Sequence, residues 1–280
     1  MKTPKRIQPL VSEGLVDEVL RQLMSGKEAT VYIVRCGEEI RCAKVYKDLK
    51  QRSFRNNTSY QEGRKTKNSR QARAMQKGTR YGRQMQEEAW QSAEVDALYR
   101  LAAAGVRVPQ PYLCHQGVLL MELVTDAEGQ PAPRLNDIEM TAEQALEFHA
   151  ELLRQVVRML CAGLIHGDLS EYNILVGADG PVIIDLPQAV DAAGNSNAGE
   201  MLERDVANLA SYFGRFAPEL ADTDYGKEIW RLYQAGNLTP DSQLTGRIEI
   251  EQRIADVGAV LEEVKLALLA EERRRLYQAG

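Results

Sequence analysis

The 280-residue chain predicts an α+β fold in two lobes, an antiparallel sheet with one helix followed by a mainly helical half. Three observations carry this. Runs of β-branched and aromatic residues, separated by Gly-containing turns, recur between Met24 and Val124. A polar stretch rich in Pro and Gly, residues 126–133, then interrupts the chain. Beyond it, apolar residues recur at helical spacing with capping signals at the ends. The expected divisions are an N-terminal helical extension over 1–22, a sheet lobe over 23–124 with a basic flexible loop at about 50–82, a hinge over 125–133 and a helical lobe over 134–280.

Residues 12–23 place Leu15, Val16, Val19, Leu20 and Leu23 on one helical face. MSGKEATVYIV reads as strand, Gly turn and strand, and Cys36-Gly37-Glu38 turns the chain into a third strand over 40–46. The segment NNTSYQEGRKTKNSRQARAMQKG has almost no apolar periodicity and is expected to be a mobile loop with some nascent helix. Helix is expected again from about Arg83, with Trp90, Ala93, Ala97, Leu98 and Leu101 on one stripe and Gly105 as its stop. Residues 112–124 read as a hairpin turning at Gln116-Gly117. Thr141 and Gln144 form the signature of a capping box opening a long helix that Gly163 closes. His149 inside it is expected to be a core or surface residue rather than a ligand. Further helices are expected at about 200–216, 218–234 and 247–278. The hexapeptide RLYQAG at 231–236 and 275–280 reads as two similar helix ends, not a repeat architecture.

The composition, 44% hydrophobic and 27% charged, is that of a soluble globular protein. No apolar run approaches the length of a bilayer span, and MKTPKRIQPL lacks the apolar core of a signal peptide. A cytoplasmic protein without a membrane partner is expected. Cys36, Cys42, Cys114 and Cys161 form no C-x-x-C pair and sit in apolar patterns, so they read as buried thiols rather than disulfides or zinc ligands. The three histidines are too scattered in sequence for a metal site. Net charge is −5, but residues 41–83 hold 14 Lys or Arg against two acids, a net of +12 that leaves −17 for the remainder. This asymmetry suggests a polyanionic partner, RNA or a ribonucleoprotein.

The chemistry concentrates in residues 164–186, LIHGDLSEYNILVGADGPVIIDL. Asp168 precedes Asn173 by five positions, and Asp185 follows the apolar run Val182-Ile183-Ile184. A carboxylate ending a buried strand needs a partner or a metal. Protein-kinase catalytic loops use this spacing: an Asp accepts the proton of the attacking hydroxyl, an Asn five residues on holds Mg²⁺, and an Asp on the next hairpin holds the metal bridging the phosphates. Lys44, in an apolar strand after a Gly-containing hairpin, matches the lysine that grips the α- and β-phosphates. Glu94 shares the face of Trp90 and Leu98, so it points inward and needs a cation, for which Lys44 is the candidate.

SGKEATVY, CAKVYK, Trp90-x-x-x-Glu94, LLMEL, QPAPRL, HGDLSEYNIL, IDLPQAV and ERDVANL together resemble the RIO family of atypical serine/threonine protein kinases, most of all its first subgroup. The motifs run from about residue 20 to 215. Met24 departs from the family's usual Ser, and Pro187 from its usual small or polar residue. The resemblance implies a bilobed protein-kinase-like fold, with ATP as substrate and Mg²⁺, or alternatively Mn²⁺, as metal. It implies that Ser25, Gly26, Lys27 and Glu28 form a turn covering the triphosphate through backbone N–H groups. Lys44, paired with Glu94, would bind phosphates, Met121 would guard the adenine pocket, and backbone groups of Glu122 and Val124 would line the hinge. Asp168 would be the catalytic base, Asn173 and Asp185 the metal ligands, and His166 a support for the loop. Asp185 would in addition carry a phosphoaspartate intermediate of ATP hydrolysis. Nothing resembles an Ala-Pro-Glu segment, which argues against an ordinary peptide-substrate groove.

Three function classes follow. One is an ATP-dependent Ser/Thr kinase or ATPase switch acting in ribosome maturation or on another ribonucleoprotein. Another is a small-molecule phosphotransferase of the aminoglycoside-kinase type, which shares the H-G-D-x-x-x-x-N-I-L loop. The third is a binding module with nucleotide as a structural ligand. The SGKEA turn and Ser170-Glu171-Tyr172 favour the first over the second, and intact Lys44, Asp168, Asn173 and Asp185 speak against the third.

Overall fold

The computed structural model describes residues 3–26, 29–47 and 80–247, with residues 80–91 as backbone only. Lys27, Glu28, most of the basic segment and the helix expected over 247–278 lie outside the described residues, as does the Trp90 side chain. Five antiparallel strands build one sheet in the order β1-β2-β3-β5-β4. They are β1 (Glu18–Ser25), β2 (Ala29–Cys36), β3 (Glu39–Tyr46), β4 (Pro111–His115) and β5 (Val118–Glu122).

Alternation along β3 sends its side chains to two different cores. Ala43 and Val45 join Val19, Val34, Val118 and Leu120 against Ile7 and Leu10 of the short helix α1 (Gln8–Ser12). Tyr46 faces the other way, into the core built with Val95, Leu98 and Leu101 of helix α2 (Arg80–Ala103). Lys44 shares the parity of Tyr46, so sequence register alone turns it toward α2. The β4–β5 hairpin turns at Gln116 (φ 48°) and Gly117 (φ 75°), two successive left-handed residues as a tight primed turn requires.

The helix expected over 12–23 is not there. Gly14 (φ 72°) stops α1, and residues 18–25 pair with β2. Register shifts between Val19 and Arg21 and between Gln22 and Met24 mark irregularities in that pairing. A bulge inserts a residue and breaks strict alternation, so an irregular strand can imitate a helical spacing of apolar residues. Of the supposed helical stripe, only Val16 and Val19 are buried, and Leu15 is exposed.

Between the sheet and the helical part, the Asp126 carboxylate accepts the N–H groups of Glu128 (3.1 Å) and Gln130 (2.8 Å). The Ala132 N–H donates to the Val124 carbonyl at 3.0 Å. Helix α3 (Ala142–Cys161) opens with the capping box, the Thr141 hydroxyl accepting from the Gln144 N–H and the Gln144 side chain from the Thr141 N–H. After α3 come β6 (Leu164–Ile165), the hairpin β7 (Ile174–Gly177) and β8 (Gly180–Ile183), and β9 (Val190–Asp191), which pairs with β6. Helices α4 (Ala198–Phe213) and α5 (Tyr225–Gln234) complete the described chain.

The single helix expected over 218–234 is divided into a 3₁₀ turn, Pro218–Leu220, and α5. Residues 222–224, Asp-Thr-Asp, make the break: the Thr223 hydroxyl donates to the Leu220 carbonyl at 2.9 Å, and the Asp224 N–H is taken by the Gly246 carbonyl at 2.8 Å. Short polar side chains offer the backbone such alternatives to helix. The cysteines are not all buried, although their apolar contexts predict it. All four are free, but only Cys42 is buried; Cys36 is half-buried, while Cys114 on an edge strand and Cys161 at the last position of α3 are exposed.

His149, on the inner face of α3, lies against the rings of Phe213 (5.7 Å) and Tyr225 (5.6 Å), and its Nε2 has no hydrogen-bond partner among the described residues. Burial pushes its pKa down to about 4. The folded chain keeps it neutral where the unfolded chain, with a pKa of about 6.5, takes up a proton. Its contribution is therefore complete above about pH 6.5 and is lost as pH falls through about 4. In denaturant melts, His149→Leu is expected to remove about 2–3 kcal/mol of the stability lost between pH 7 and pH 4.5. An unchanged pH dependence in the variant contradicts this.

Candidate active site

The site begins with one ion pair. Lys44, on the α2-facing side of β3, donates to the Glu94 carboxylate on α2. Glu94 lies among Val95, Leu98 and Leu101 and is 6% exposed. Removing one partner of a buried pair strands the other's charge and costs about 3–5 kcal/mol. The Tyr46 phenol, buried two residues on, is held far above its usual pKa by burial and by the nearby Glu94 carboxylate. On its open side, the Lys44 ammonium lies 3.5 Å from Asp185 Oδ1. Asp185 follows β8 and has φ 67°, a left-handed backbone that Asp tolerates better than most residues but that still carries strain.

The second part is the loop between β6 and β7. Asp205, 1% exposed on α4, accepts the backbone N–H of Gly167 at 2.7 Å and of Leu169 at 3.0 Å. Burial raises its pKa to about 6 against the opposing pull of His166, these two N–H groups and Arg204. The Arg204 guanidinium donates to the Gly167 carbonyl, and Asn208 Nδ2 to the Leu169 carbonyl at 3.0 Å. Three side chains of one helix thus pin both residues flanking Asp168. His166 Nε2 meets the Ile184 carbonyl at 3.0 Å, while its Nδ1 accepts the Asp168 N–H at 3.3 Å. Both contacts are met by the Nε2–H tautomer. His166 therefore supports the loop and ties it to the end of β8.

Asn173 Nδ2 donates to the Asp168 carbonyl at 2.8 Å, which leaves Oδ1 as the amide atom able to accept or to ligate. The Ile184 N–H bonds the Asn173 carbonyl at 2.9 Å, so Asn173 and Asp185 are held in one frame. Asp168 Oδ2 accepts from Gln188 Nε2 at 2.9 Å. Burial raises the pKa of Asp168, with Asp185 adding to the rise and His166 and Arg204 opposing it. Among the described residues, no group of three His, Cys, Asp or Glu side chains converges. The oxygen pair of Asn173 and Asp185 suits a hard divalent cation that keeps water and phosphate oxygens as its other ligands.

In the β1–β2 turn, the Gly26 N–H bonds the Ala29 carbonyl at 2.9 Å. Lys47 clamps the turn from β3's end, donating to the Gly26 carbonyl at 2.6 Å and to Ser25 Oγ at 3.1 Å. Met121 on β5 pairs with Cys42 and packs against the core shared with α2. The Glu122 N–H is used by the Gln110 carbonyl at 2.8 Å, and its carboxylate binds Arg107 through two contacts of 2.7 and 2.8 Å. The Val124 carbonyl is taken by Ala132, whereas its N–H has no partner among the described residues.

Structure thus brings Lys44, Glu94, Asp168, Asn173 and Asp185 together, and places Ser25 and Gly26 in the clamped turn. Sequence reasoning assigned no role to Asp205, Arg204, Asn208, Gln188 or Lys47. A signal for Asp205 was present: it interrupts the buried stripe of Met201, Leu202, Val206 and Leu209, where an acid needs a specific partner. Asp205→Asn places an amide N–H₂ against one of two buried backbone N–H donors. It is expected to cost about 2 kcal/mol, read as a lower denaturation midpoint with an unchanged m-value. A midpoint equal to that of the parent chain contradicts the clamp.

Comparison with known proteins fits this geometry. The family model described as the RIO domain matches residues 30–225. The chain is 36% identical over 211 residues to the RIO-type serine/threonine-protein kinase Rio1 of Haloferax volcanii, covering 75% of this chain and 68% of that protein. It is 31% identical over 218 residues to the protein of the same name from Methanocaldococcus jannaschii, with 77% and 68% covered. Against the human serine/threonine-protein kinase RIO1 it is 30% identical over 208 residues, 74% of this chain but only 35% of that longer protein. A kinase family implies ATP and a divalent metal. Among the described residues, no helix is long and apolar enough to cross a membrane. The chain belongs to the RIO-domain family of atypical serine/threonine protein kinases.

Proposed function

We propose that the chain transfers the γ-phosphoryl group of ATP, with Mg²⁺, to a serine or threonine hydroxyl or to water, acting as a kinase and ATPase switch on a ribonucleoprotein in the cytoplasm, ribosome maturation being the setting. The observation that carries this is the buried Lys44–Glu94 pair with its ammonium 3.5 Å from Asp185. The sheet lobe ending at Val124, the hinge over 125–133 and the helical lobe from 134 are the parts of this reading. Ser25 and Gly26 cover the triphosphate, a role in which Lys27 and Glu28 are proposed to share. Met121 borders the adenine, and the Val124 N–H and Glu122 carbonyl meet its edge. Lys44 neutralises phosphate charge, its orientation set by Glu94. Asn173 Oδ1 and Asp185 hold the metal, which when bound neutralises charge developing on the phosphates.

Asp168 accepts the proton of the attacking hydroxyl as its oxygen bonds the γ-phosphorus and the bond to the ADP oxygen breaks. In the hydrolytic branch, the Asp185 carboxylate attacks the γ-phosphorus and ADP leaves; water, giving its proton to Asp168, then cleaves the acyl phosphate, releasing phosphate and restoring the Asp185 carboxylate. Its place at the end of the Val182–Ile184 run supports a carboxylate held for that attack. Incubation with γ-labelled ATP and Mg²⁺, an acid quench and hydroxylamine treatment test it. Label removed by hydroxylamine and absent from Asp185→Asn is expected; label that resists hydroxylamine in full leaves Asp185 with metal binding alone.

The basic segment 41–83, with 14 Lys or Arg against two acids, is proposed to meet RNA, Lys44 excepted because it is committed to Glu94. Binding of labelled RNA is expected to weaken with salt by about 0.7 log units per log unit and per phosphate contact. Changing Arg64, Lys65, Lys67 and Arg70 to Ala is expected to flatten that slope. Equal affinities and slopes contradict it.

A further inference from the structure

The five residues after Asp185 are Leu186-Pro187-Gln188-Ala189-Val190. Four of them are buried, Gln188 alone being half-exposed. The Ala189 N–H closes a turn on the Leu186 carbonyl at 3.0 Å, and Val190 pairs with Ile165 in the ladder that leads into the loop of Asp168. Apolar anchors on either side therefore fix where the Gln188 side chain emerges. It emerges over Asp168, with Nε2 2.9 Å from Oδ2. An ionised carboxylate only accepts, so the amide nitrogen is the atom in contact.

The hydrogen bonds around Asp168 divide into two kinds. Asp205, Arg204, Asn208, His166 and Asn173 all act on the backbone of residues 167–169. Among the described residues, only Gln188 donates to the Asp168 carboxylate itself. The backbone clamp places the Cα of Asp168 but leaves rotation about its terminal torsion, which is broad for a carboxylate. One hydrogen bond to Oδ2 removes that freedom.

We propose that Gln188 is the positioning residue of the Asp168 carboxylate, holding Oδ2 so that Oδ1 is presented to the acceptor hydroxyl or water. This rests on Asp168 being the base. The role needs a donor of Gln length at 188, and neither the fold nor ATP binding depends on it. Gln188→Leu keeps the size and loses the donor. Gln188→Glu keeps the shape and turns the donor into an acceptor facing a carboxylate.

The test follows total turnover of γ-labelled MgATP, counting protein label and free phosphate together, in the full chain and in Gln188→Leu, Gln188→Glu and Asp168→Asn. A loosened base is expected to lower kcat by about 10–100-fold in both Gln188 variants. Their KM for ATP and melting temperature are expected to match the parent chain, and Asp168→Asn to be inactive. Parental kcat in either Gln188 variant, with Asp168→Asn inactive, overturns the role of Gln188 and leaves that of Asp168 standing. A change carried by KM instead of kcat overturns it as well. Parental turnover in Asp168→Asn overturns the base assignment and this proposal with it.

Discussion

The Lys44–Glu94 pair is the interaction on which the site depends. It joins the central sheet to α2 across a low-dielectric interior, where neither charge is tolerated alone. Val95, Leu98 and Leu101 hold α2 against the face of the sheet that carries Tyr46, so hydrophobic packing sets the depth at which the ions meet. In return, the pair fixes the ammonium in one direction. Asp185 lies along that direction, its backbone turned left-handed after β8. A sliding or rotation of α2 on the sheet would remove the cation from Asp185, which links the packing of the sheet lobe directly to its chemistry.

The loop of Asp168 is built on a different principle. Its backbone is over-determined by side chains from α4, with a buried carboxylate, a guanidinium and an amide each meeting a backbone group. His166 and Asn173 tie the same loop to the end of β8. Asp168 and Asp185, two of the groups proposed to do the chemistry, are exposed, whereas Asp205 and His166, which hold the loop, are buried. Rigid support with an accessible reactive edge is what proximity and electrostatic preorganisation require. Asp168 stands exposed with a raised pKa, as suits a group proposed to exchange a proton.

Much of this was legible because single residues carry strong local rules. Gln116-Gly117 could hardly be other than a hairpin turn, and Thr141 with Gln144 formed the box their spacing announced. The inward faces of Lys44 and Glu94 followed from strand parity and helix period, so the pair could be named from the sequence. What failed did so where tertiary context overrides local pattern. The irregular register of β1 gave its apolar residues a helical spacing. Residues 222–224 diverted backbone hydrogen bonds from a helix whose apolar period ran on through them. Exposure of Cys114 and Cys161 depends on which edge and which helix end the fold leaves uncovered. Asp205, Asn208 and Gln188 are long-range clamps, some 20 to 39 positions from what they hold; the apolar period marks Asp205 as an inward acid, but it names no partner that distant.

In the proposed function, Glu94 acts by aiming Lys44 at the phosphates. Kinetics of ATP turnover in Glu94→Gln, beside Lys44→Ala and the double variant, test it most directly. An amide at 94 keeps the shape and a hydrogen bond but loses the charge that orients the ammonium. A loss of kcat/KM for ATP of about 100-fold is expected in each single variant. In the double variant the loss should be no larger than in Lys44→Ala alone, because two residues serving one interaction are not additive. Parental kcat/KM in Glu94→Gln, or losses that multiply in the double variant, would contradict it.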